Sequence, residues 1–406
     1  MALTWGDAAR GHTGRDGTPP GGTASDGTPA DGRSGADPST HGLGPPPEQD
    51  VDDVLVLRAL GLGDALTAVP ALRGLRRAWP HARITLVGPE AVGTWLRDAG
   101  VCDRVLPADG IAAPPPVPWV GTGHVAVNLH GRGPDSTRRL LATQPRRVVA
   151  FADALAPDGP PWRPDEHEVL RWMRLVHAVG GTCSLDDLRL PAPEGHATRV
   201  THVRGEVVLH PGAASASRRW PVARWTELAR RLARAGYLVD VTGSVAERDV
   251  CAAVVDGLGS PADLLRVRDL AGTLPLPALV QAVASARLVV CGDTGVAHVA
   301  TAVGVPSVLL FGPVAPDRWG PLLDVDRHTV LWRGDGTGDP HGTTVDPALD
   351  RIGVDEVLAA ALAQLDRGPV ALTPAPAAPT GTTRQSVPAR RSTAPAAPTP
   401  GVRARG

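Results

Sequence analysis

Lysine is absent from this sequence, and all 41 of its basic residues are arginine. Several large enzyme classes depend on a lysine: proteins with a Walker A phosphate loop, pyridoxal enzymes that form a Schiff base, and protein kinases. The usual mechanisms of these classes are therefore excluded. Any phosphate that this chain binds must be held by other groups.

Long apolar runs are missing as well. No stretch approaches the ~20 uninterrupted apolar residues of a membrane-spanning helix. The first 50 residues also lack the basic start and apolar run of a secretory signal. We therefore expect a soluble, cytoplasmic protein. The inner face of the plasma membrane, reached through peripheral contact, is the second location that the sequence allows.

Cysteine is scarce, and the net charge is close to zero. Cys102, Cys183, Cys251 and Cys291 are far apart and lack C-x-x-C spacing, which argues against a zinc knuckle or a redox pair. The 42 acidic residues balance the arginines to a formal charge of −1, and the arginines are scattered along the chain. Nucleic acid is therefore not an expected partner.

Length and composition predict two domains between two tails. A chain of 406 residues exceeds the roughly 250 to 300 residues at which a single core stops growing. Residues 1–50 and 368–406 are too poor in apolar side chains to offset the entropy of ordering them, so both are predicted to be disordered. We place the domains at 51–190 and 191–367, divided by a Pro- and Gly-rich segment at 188–204.

Strands and helices alternate in both domains. Apolar runs typical of buried strands lie at 54–57, 83–87, 124–129, 147–151, 206–210, 238–242, 287–291 and 307–311. Apolar residues at helical spacing lie at 66–79, 92–99, 166–179, 221–234, 246–258, 276–285 and 294–303. This alternation predicts the α/β class: two doubly wound, Rossmann-like domains. Ligands of such folds bind at the carboxyl ends of the strands, here in the cleft between the domains.

The glycine turn GLGDAL at 61–66 resembles the dinucleotide fingerprint G-x-G-x-x-G only in part. Leu66 replaces the third glycine, and Asp64 would place a negative charge where a pyrophosphate should lie. A dehydrogenase is therefore disfavoured. Asp64 itself has two interpretations, a helix cap and a general base that faces the cleft, and the residues leave both open.

The stretch CGDTGVAH at 291–298 lies where a buried strand meets a helix. Unpaired amides and the macrodipole at such a helix start favour an anion such as a diphosphate. Gly295 allows close approach to the backbone, Thr294 can donate its hydroxyl, and His298 follows one turn later on the same face. Singly, Asp293 and Thr294 could cap the helix and His298 could belong to the core. Their combination favours a ligand site.

Charged residues also follow other strands of the second domain. Arg218 and Arg219 lie after its first strand and can hold phosphate oxygens, or form a solvated turn. Glu247 follows the next strand and can bind ribose hydroxyls, or stabilise a first helical turn. Asp324 and Asp326 have a D-x-D spacing known from metal sites, but their loop position indicates surface residues. No metal site is predicted.

These motifs, in this order, resemble glycosyltransferase family 9, the heptosyltransferases of lipopolysaccharide assembly. The resemblance extends over about 54–365. Its most specific elements are VLVLR at 54–58 with GD at 63–64 and PAL at 70–72, HPG at 210–212 with RWP at 219–221, DLAG at 269–272, DTG at 293–295 with His298, and FGP at 311–313 with WGP at 319–321. Their order and spacing argue against chance agreement.

The resemblance implies the two-domain GT-B fold and an inverting, metal-free transfer from a nucleotide-sugar donor. It implies that Asp64 is the catalytic base. Donor contacts would come from Arg218 (phosphate), Thr294 and Gly295 (diphosphate), Asp293 and His298 (sugar region), and Glu247 (ribose). The chain departs from some relatives in having arginine for lysine, which keeps the charge, and in its long tails.

The expected activity is transfer of heptose or a similar sugar to a hydroxyl of a glycan or glycolipid acceptor in the cell envelope. Asp64 would take the proton of that hydroxyl, and Arg218 or Arg219 would stabilise the leaving diphosphate, so no metal or other cofactor is expected. Two alternatives stay open. A nucleotide-sugar epimerase or hydrolase would consume donor without acceptor, and a non-catalytic nucleotide-binding protein would use Asp64 only as a cap.

Overall fold

The structure, a computed structural model, describes residues 50–112, 123–193 and 206–367. The tails predicted at 1–50 and 368–406 lie outside the described residues, apart from Asp50. Most of the segment 188–204, in which the domain division is predicted, lies outside them as well. None of the helices in the described part of the chain has the length and apolar character that crossing a membrane requires.

The amino-terminal half is built on a five-stranded parallel sheet. Its strands are β1 (Asp53–Leu57), β2 (Arg83–Gly88), β3 (Arg104–Pro107), β4 (Val125–Asn128) and β5 (Arg147–Val149). Its helices are α1 (Leu62–Thr67), α2 (Val69–Ala78), α3 (Glu90–Asp98), α4 (Asp135–Leu141) and α5 (Glu168–His177). The strand order is β3-β2-β1-β4-β5.

The carboxyl-terminal half repeats this plan with six parallel strands. They are β6 (Val207–His210), β7 (Val239–Val241), β8 (Val267–Asp269), β9 (Leu288–Gly292), β10 (Ser307–Phe311) and β11 (His328–Trp332). The helices are α6 (Val222–Arg234), α7 (Arg248–Asp256), α8 (Pro261–Leu264), α9 (Leu276–Ser285), α10 (Gly295–Val303), α11 (Pro316–Trp319), α12 (Pro347–Asp350) and α13 (Val354–Asp366). The order is β11-β10-β9-β6-β7-β8.

The central strands are buried along their whole length. Every residue of β9 and β10 is buried, and so are Val54, Leu55 and Val56 of β1. Parallel strands of this kind are covered by helices on both faces, so they need apolar side chains at successive positions rather than at alternate ones. This is why the short apolar runs in the sequence correctly indicate the centres of the two sheets.

The structure differs from the sequence predictions at sheet edges and at several helices. Helices α4, α8, α11, α12 and α13 were not predicted. The unpredicted strands β3, β8 and β11 are all edge strands, which are less buried and carry Arg, Asp or His. The single helix predicted at 66–79 is wrong: the chain forms α1 and α2, separated at Ala68. Pro70 lies in the first turn of α2, where its missing N–H is tolerated, whereas inside a continuous helix it would remove a hydrogen bond and clash with the preceding turn.

Polar contacts join the two halves. Arg189 donates from Nη1 and Nη2 to the two carboxylate oxygens of Asp324, at 2.7 and 2.8 Å. The ring Nε2 of His167, the residue before α5, lies 2.9 Å from the carbonyl oxygen of Gly320. The interpretation of Asp324 as a surface residue is therefore wrong, because its side chain is only 19% exposed and belongs to this contact.

We expect Trp172→Ala to lower the free energy of unfolding by about 3–5 kcal/mol, the usual cost of emptying such a buried aromatic site. Trp172 is fully buried in α5, packs against Phe151 and Trp162, and donates its Nε1–H to Glu168 at 2.8 Å. Chemical denaturation measures the loss. Leu265→Ala is the control: Leu265 is 83% exposed, so a change within about 0.5 kcal/mol is expected. Equal losses would contradict the role of burial.

Candidate active site

The segments that follow β1, β6 and β9 meet between the two halves. In each sheet the winding of the chain reverses at one point, between β1 and β4 and between β6 and β9. Open α/β sheets bind ligands in the crevice outside the carboxyl ends of the strands at such a point. Asp64 comes from the segment after β1, Arg218 from that after β6, and Asp293 from that after β9.

Two glycines allow the halves to approach closely at this crevice. A methyl group added to Gly63 would lie 2.8 Å from Cδ2 of His298, and one added to Gly295 would lie 2.9 Å from Cβ of Leu62. A side chain at either position would therefore require the neighbouring residue, His298 or Leu62, to shift. The sequence interpretation gives Gly295 a role in phosphate approach, and the structure adds this packing role.

Asp64 lies inside α1, in its first turn. The N-cap residue of α1 is Gly61, and Asp64 makes no side-chain cap, so the helix-cap interpretation is wrong. The Asp64 side chain is 33% exposed, and its Oδ1 lies 3.5 Å from Nη2 of Arg58. Burial raises the pKa of Asp64 above its usual value and Glu168 adds to the rise, while Arg58 and Arg218 oppose it. A carboxylate with a raised pKa is the better proton acceptor.

The amino end of α10 carries the second group of predicted residues. Thr294 is the N-cap residue of this nine-residue helix, but its side chain makes no capping hydrogen bond. Its Oγ1 is buried without a hydrogen-bond partner of normal geometry among the described residues, and the Cys291 thiol lies nearby. The unpaired amides of a helix start, the helix dipole and the Thr294 hydroxyl together suit an anionic ligand.

Arg218 lies across this helix end. Its Nη2 donates to the Asp293 carboxylate at 3.0 Å and also to the Asp293 carbonyl. Its Nε is buried and has no hydrogen-bond partner among the described residues. Arg218 is therefore not a solvated turn residue. Asp293 holds it in place, and its Nε–H is left to donate a hydrogen bond to a phosphate oxygen.

His298 closes the same space from one turn further along α10. Its ring packs edge-on against Trp319, with 6.0 Å between centroids, and lies beside Gly63. Burial lowers the pKa of His298 to about 4, so the imidazole is neutral at pH 7. A neutral ring has one N–H donor and one acceptor nitrogen, and it adds no charge to the site.

Glu247 and Arg219 border the site on the β6 side. The Glu247 carboxylate accepts the Ser244 backbone N–H at 2.7 Å in a capping box, and it covers Gly212. Burial works to raise the pKa of Glu247, but His210, the Ser244 hydrogen bonds and Arg219 outweigh it and hold that pKa below its usual value. The helix-stabilising interpretation of Glu247 is thus confirmed, and its ribose contact stays a prediction. Arg219 donates to the Ala213 carbonyl at 2.9 Å.

Two residues next to Asp64 were not found from the sequence. Arg58, buried at the end of β1, donates to Glu168, the first residue of α5, at 3.1 Å. An arginine directly after a buried apolar strand is a visible signal for the first. No local signal indicates the second, because 110 residues separate the two. Within residues 50–112, 123–193 and 206–367, no three His, Cys, Asp or Glu side chains form a group that could hold a metal ion.

Sequence comparison finds the model of glycosyltransferase family 9 (heptosyltransferase) at residues 151–337. The chain is 39% identical over 313 residues to lipopolysaccharide heptosyltransferase 1 of Pseudomonas aeruginosa, covering 66% of this chain and 80% of that protein. It is 35% identical over 151 residues to lipopolysaccharide heptosyltransferase 2 of Salmonella typhimurium, covering 35% of this chain and 43% of that protein.

Solved structures share the fold at lower identity. The chain superposes on the E. coli ADP-heptose lipopolysaccharide heptosyltransferase II with a TM-score of 0.63 at 22% identity, covering 78% of this chain and 99% of that one. The family 9 glycosyl transferase of Veillonella parvula gives a TM-score of 0.65 at 20% identity, covering 79% and 99%. The predicted GT-B architecture of two Rossmann-like domains is confirmed.

We expect Gly63→Ala to lower the free energy of unfolding by about 1–3 kcal/mol, as overpacking does. The added methyl meets the His298 ring, which already packs edge-on against Trp319. The matched control is Gly131→Ala, because a methyl there has no neighbour within 4 Å, and it should change stability little. Denaturation of both variants tests the contact, and an unaffected Gly63→Ala would refute it.

Proposed function

Since the chain belongs to glycosyltransferase family 9 and is a glycosyltransferase, we propose that it transfers heptose or a similar sugar from a nucleoside diphosphate donor to an acceptor hydroxyl. The observation that carries this proposal is the meeting of Asp64, from one half, with Arg218 and the α10 amino end, from the other. In this proposal a proton acceptor and an anion site border one crevice, as a displacement reaction requires.

The donor diphosphate is proposed to bind at the amino end of α10. Its oxygens would accept hydrogen bonds from the Thr294 hydroxyl, the amides near Gly295 and the unpaired Nε of Arg218. The remaining donor contacts are proposed from position. The sugar would lie between Asp293 and His298, the ribose near Glu247, and Arg219 beside the phosphates.

The proposed reaction is a single displacement. The acceptor hydroxyl loses its proton to Asp64 while its oxygen attacks the anomeric carbon, and the bond from that carbon to the diphosphate oxygen breaks on the opposite side. The anomeric configuration is therefore inverted. Arg218 and the helix amides stabilise the negative charge that develops on the departing diphosphate. This stabilisation replaces the role that a metal ion has in other transferases, so the proposed mechanism uses no metal or cofactor.

The acceptor is proposed to be a glycan or glycolipid of the cell envelope. The names of the relatives from Pseudomonas aeruginosa and Salmonella typhimurium point to a lipopolysaccharide precursor. Such an acceptor would be met at the cytoplasmic face of the membrane, and the protein is proposed to contact that surface peripherally. ADP-heptose, named with the E. coli structure, is the first donor to test.

We predict that Asp64→Asn lowers kcat for transfer by about 10²- to 10⁴-fold, the usual contribution of a general base, while ADP binding survives. Asp64 must be deprotonated to act as the base, and burial raises its pKa. As the pH is lowered, wild-type kcat/KM should therefore begin to fall at a pH above the usual pKa of an aspartate. Asp98→Asn, which changes a 61%-exposed carboxylate on α3, is the control and should keep full activity.

The outcomes separate the alternatives. Unchanged transfer by Asp64→Asn would remove this residue from the mechanism. Donor consumption without acceptor would indicate an epimerase or hydrolase, and ADP binding without any turnover would indicate a non-catalytic protein. The assays contain EDTA, and loss of wild-type transfer in EDTA would contradict a metal-free reaction.

For the donor site, we predict that Arg218→Gln weakens ADP binding about 10- to 100-fold, since hydrogen bonds to charged groups contribute about 1.5–3 kcal/mol. Thr294→Ala and His298→Ala should weaken it less, because each removes a neutral partner. Calorimetric titration with ADP measures all three. Arg224→Gln, which removes an arginine of α6 that pairs with Asp350 of α12, should bind ADP as the wild type does. Undiminished affinity in Arg218→Gln would refute the placement.

A further inference from the structure

Arg58 is a buried cation that joins three segments of the amino-terminal half. Its side chain is 1% exposed. Nε donates to the Asp64 carbonyl at 2.9 Å, Nη1 to the Leu129 carbonyl after β4 at 2.6 Å, and Nη2 to Thr67 Oγ1 at 3.1 Å. A buried guanidinium is costly unless its charge and its N–H groups are satisfied. Here its donors are used largely to hold α1.

Glu168 fixes the position of Arg58. Its Oε1 accepts hydrogen bonds from Arg58 Nη2 at 3.1 Å and from Trp172 Nε1 at 2.8 Å, while its Oε2 accepts from Arg171. The Arg58 guanidinium also lies 4.7 Å from the ring centroid of Trp172, within cation–π range. Arg58 is therefore held between a carboxylate and an aromatic face of α5.

The Asp64 main chain is held by Arg58 and by Thr67, whose Oγ1 donates to the Asp64 carbonyl at 2.8 Å and accepts from Arg58. Asp64 belongs to a helix of six residues without a side-chain cap. Arg58 holds the Asp64 backbone carbonyl at 2.9 Å but lies 3.5 Å from the Asp64 carboxylate. The short bond fixes the main chain, and the long one leaves the carboxylate available to another partner. This division suits a group whose carboxylate must accept a proton from a ligand.

We propose that Arg58 is the positioning residue for Asp64 and that Glu168 is the anchor that holds Arg58. The inference rests on the proposed role of Asp64 as the base. Displacement of a catalytic group by about 1 Å can cost about 10²-fold in rate, so loosening Arg58 reduces turnover through Asp64, without any contact between Arg58 and the substrate.

Arg58 and Glu168 have opposite charges, so their effects on the pKa of Asp64 can be told apart in a pH profile. Asp64 is faced by Arg58 next to its own helix, Glu168 from α5 and Arg218 from the other half, and His130 lies near Arg58 at the end of β4. Arg58 lowers the pKa of Asp64 and Glu168 raises it. Removing Arg58 should move the acid limb of the kcat/KM profile to higher pH, and removing the Glu168 charge should move it to lower pH.

A double-mutant cycle tests the proposal on the full chain. Arg58→Gln should lower kcat for transfer about 10- to 100-fold while the KM for donor stays within about twofold, because the donor site lies in the other half. In the Asp64→Asn background the same substitution should cost less than about threefold, since residues that act as a unit are not additive. Arg58→Lys, which keeps the charge but not the planar fork, should restore the pH limb but only part of kcat.

The outcomes are separable. If Arg58→Gln reduces kcat by the same factor in both backgrounds, its role is structural and the positioning proposal is overturned. If Asp64→Asn alone leaves transfer unchanged, the proposed base fails first. If Arg58→Gln does not fold, Glu168→Gln tests the proposal instead. A reduced kcat together with an acid limb of the kcat/KM profile shifted to lower pH supports it, and an unshifted acid limb overturns it.

Arg77→Gln is the matched control for lost ion pairing. Arg77 lies on α2 and donates to both carboxylate oxygens of the buried Asp187, at 2.7 and 2.5 Å. Asp64 takes no part in this ion pair. Its removal should lower the unfolding midpoint, because it takes an ion-pair partner from the buried Asp187 carboxylate, but leave kcat, the acid limb of the kcat/KM profile and calorimetric ADP binding unchanged. A loss of kcat in Arg77→Gln equal to that in Arg58→Gln would count against a specific role for Arg58.

Discussion

The packing of α1 against α10 is the constraint on which the candidate site depends. Because Gly63 and Gly295 have no side chains, the segments that follow β1 and β9 come into direct contact. This contact brings the Asp64 carboxylate of one half within electrostatic reach of the Arg218 guanidinium of the other. Neither half contains both groups. The proposed site therefore requires both halves, and its geometry follows from how closely two helix starts can approach.

Charged side chains alternate in sign through this contact. The row runs from α5 in one half to α10 in the other through Arg171, Glu168, Arg58, Asp64, Arg218 and Asp293. Each buried ion has a neighbour of opposite sign, which offsets the desolvation that an isolated buried charge suffers. The row ends where helix amides and an unpaired arginine donor favour an anion. A diphosphate there would give Arg218 a second neighbour of opposite charge, beside Asp293.

Aspartates that look equivalent in the sequence have different surroundings in the fold. Asp64 and Asp324 both follow apolar segments, and both could be solvated. The structure gives Asp324 a bidentate arginine partner 135 residues away, whereas Asp64 keeps a third of its side chain open and meets Arg58 only at 3.5 Å. The first carboxylate is committed to joining the halves, and the second is available to a ligand. The positions of the two aspartates in the sequence do not reveal this difference.

The sequence by itself determined the central strands, most of the helices packed on them and the segments after the strand ends that carry Asp64, Arg218 and Asp293. These features are local: a strand buried on both faces needs consecutive apolar residues, and a parallel sheet places the loops at one edge. The edge strands, the break before Pro70, the contact between Gly63 and Gly295, and the Glu168 partner of Arg58 were decided only by the tertiary structure. Each depends on groups that the fold brings together from distant positions, so no local pattern of residues could indicate them.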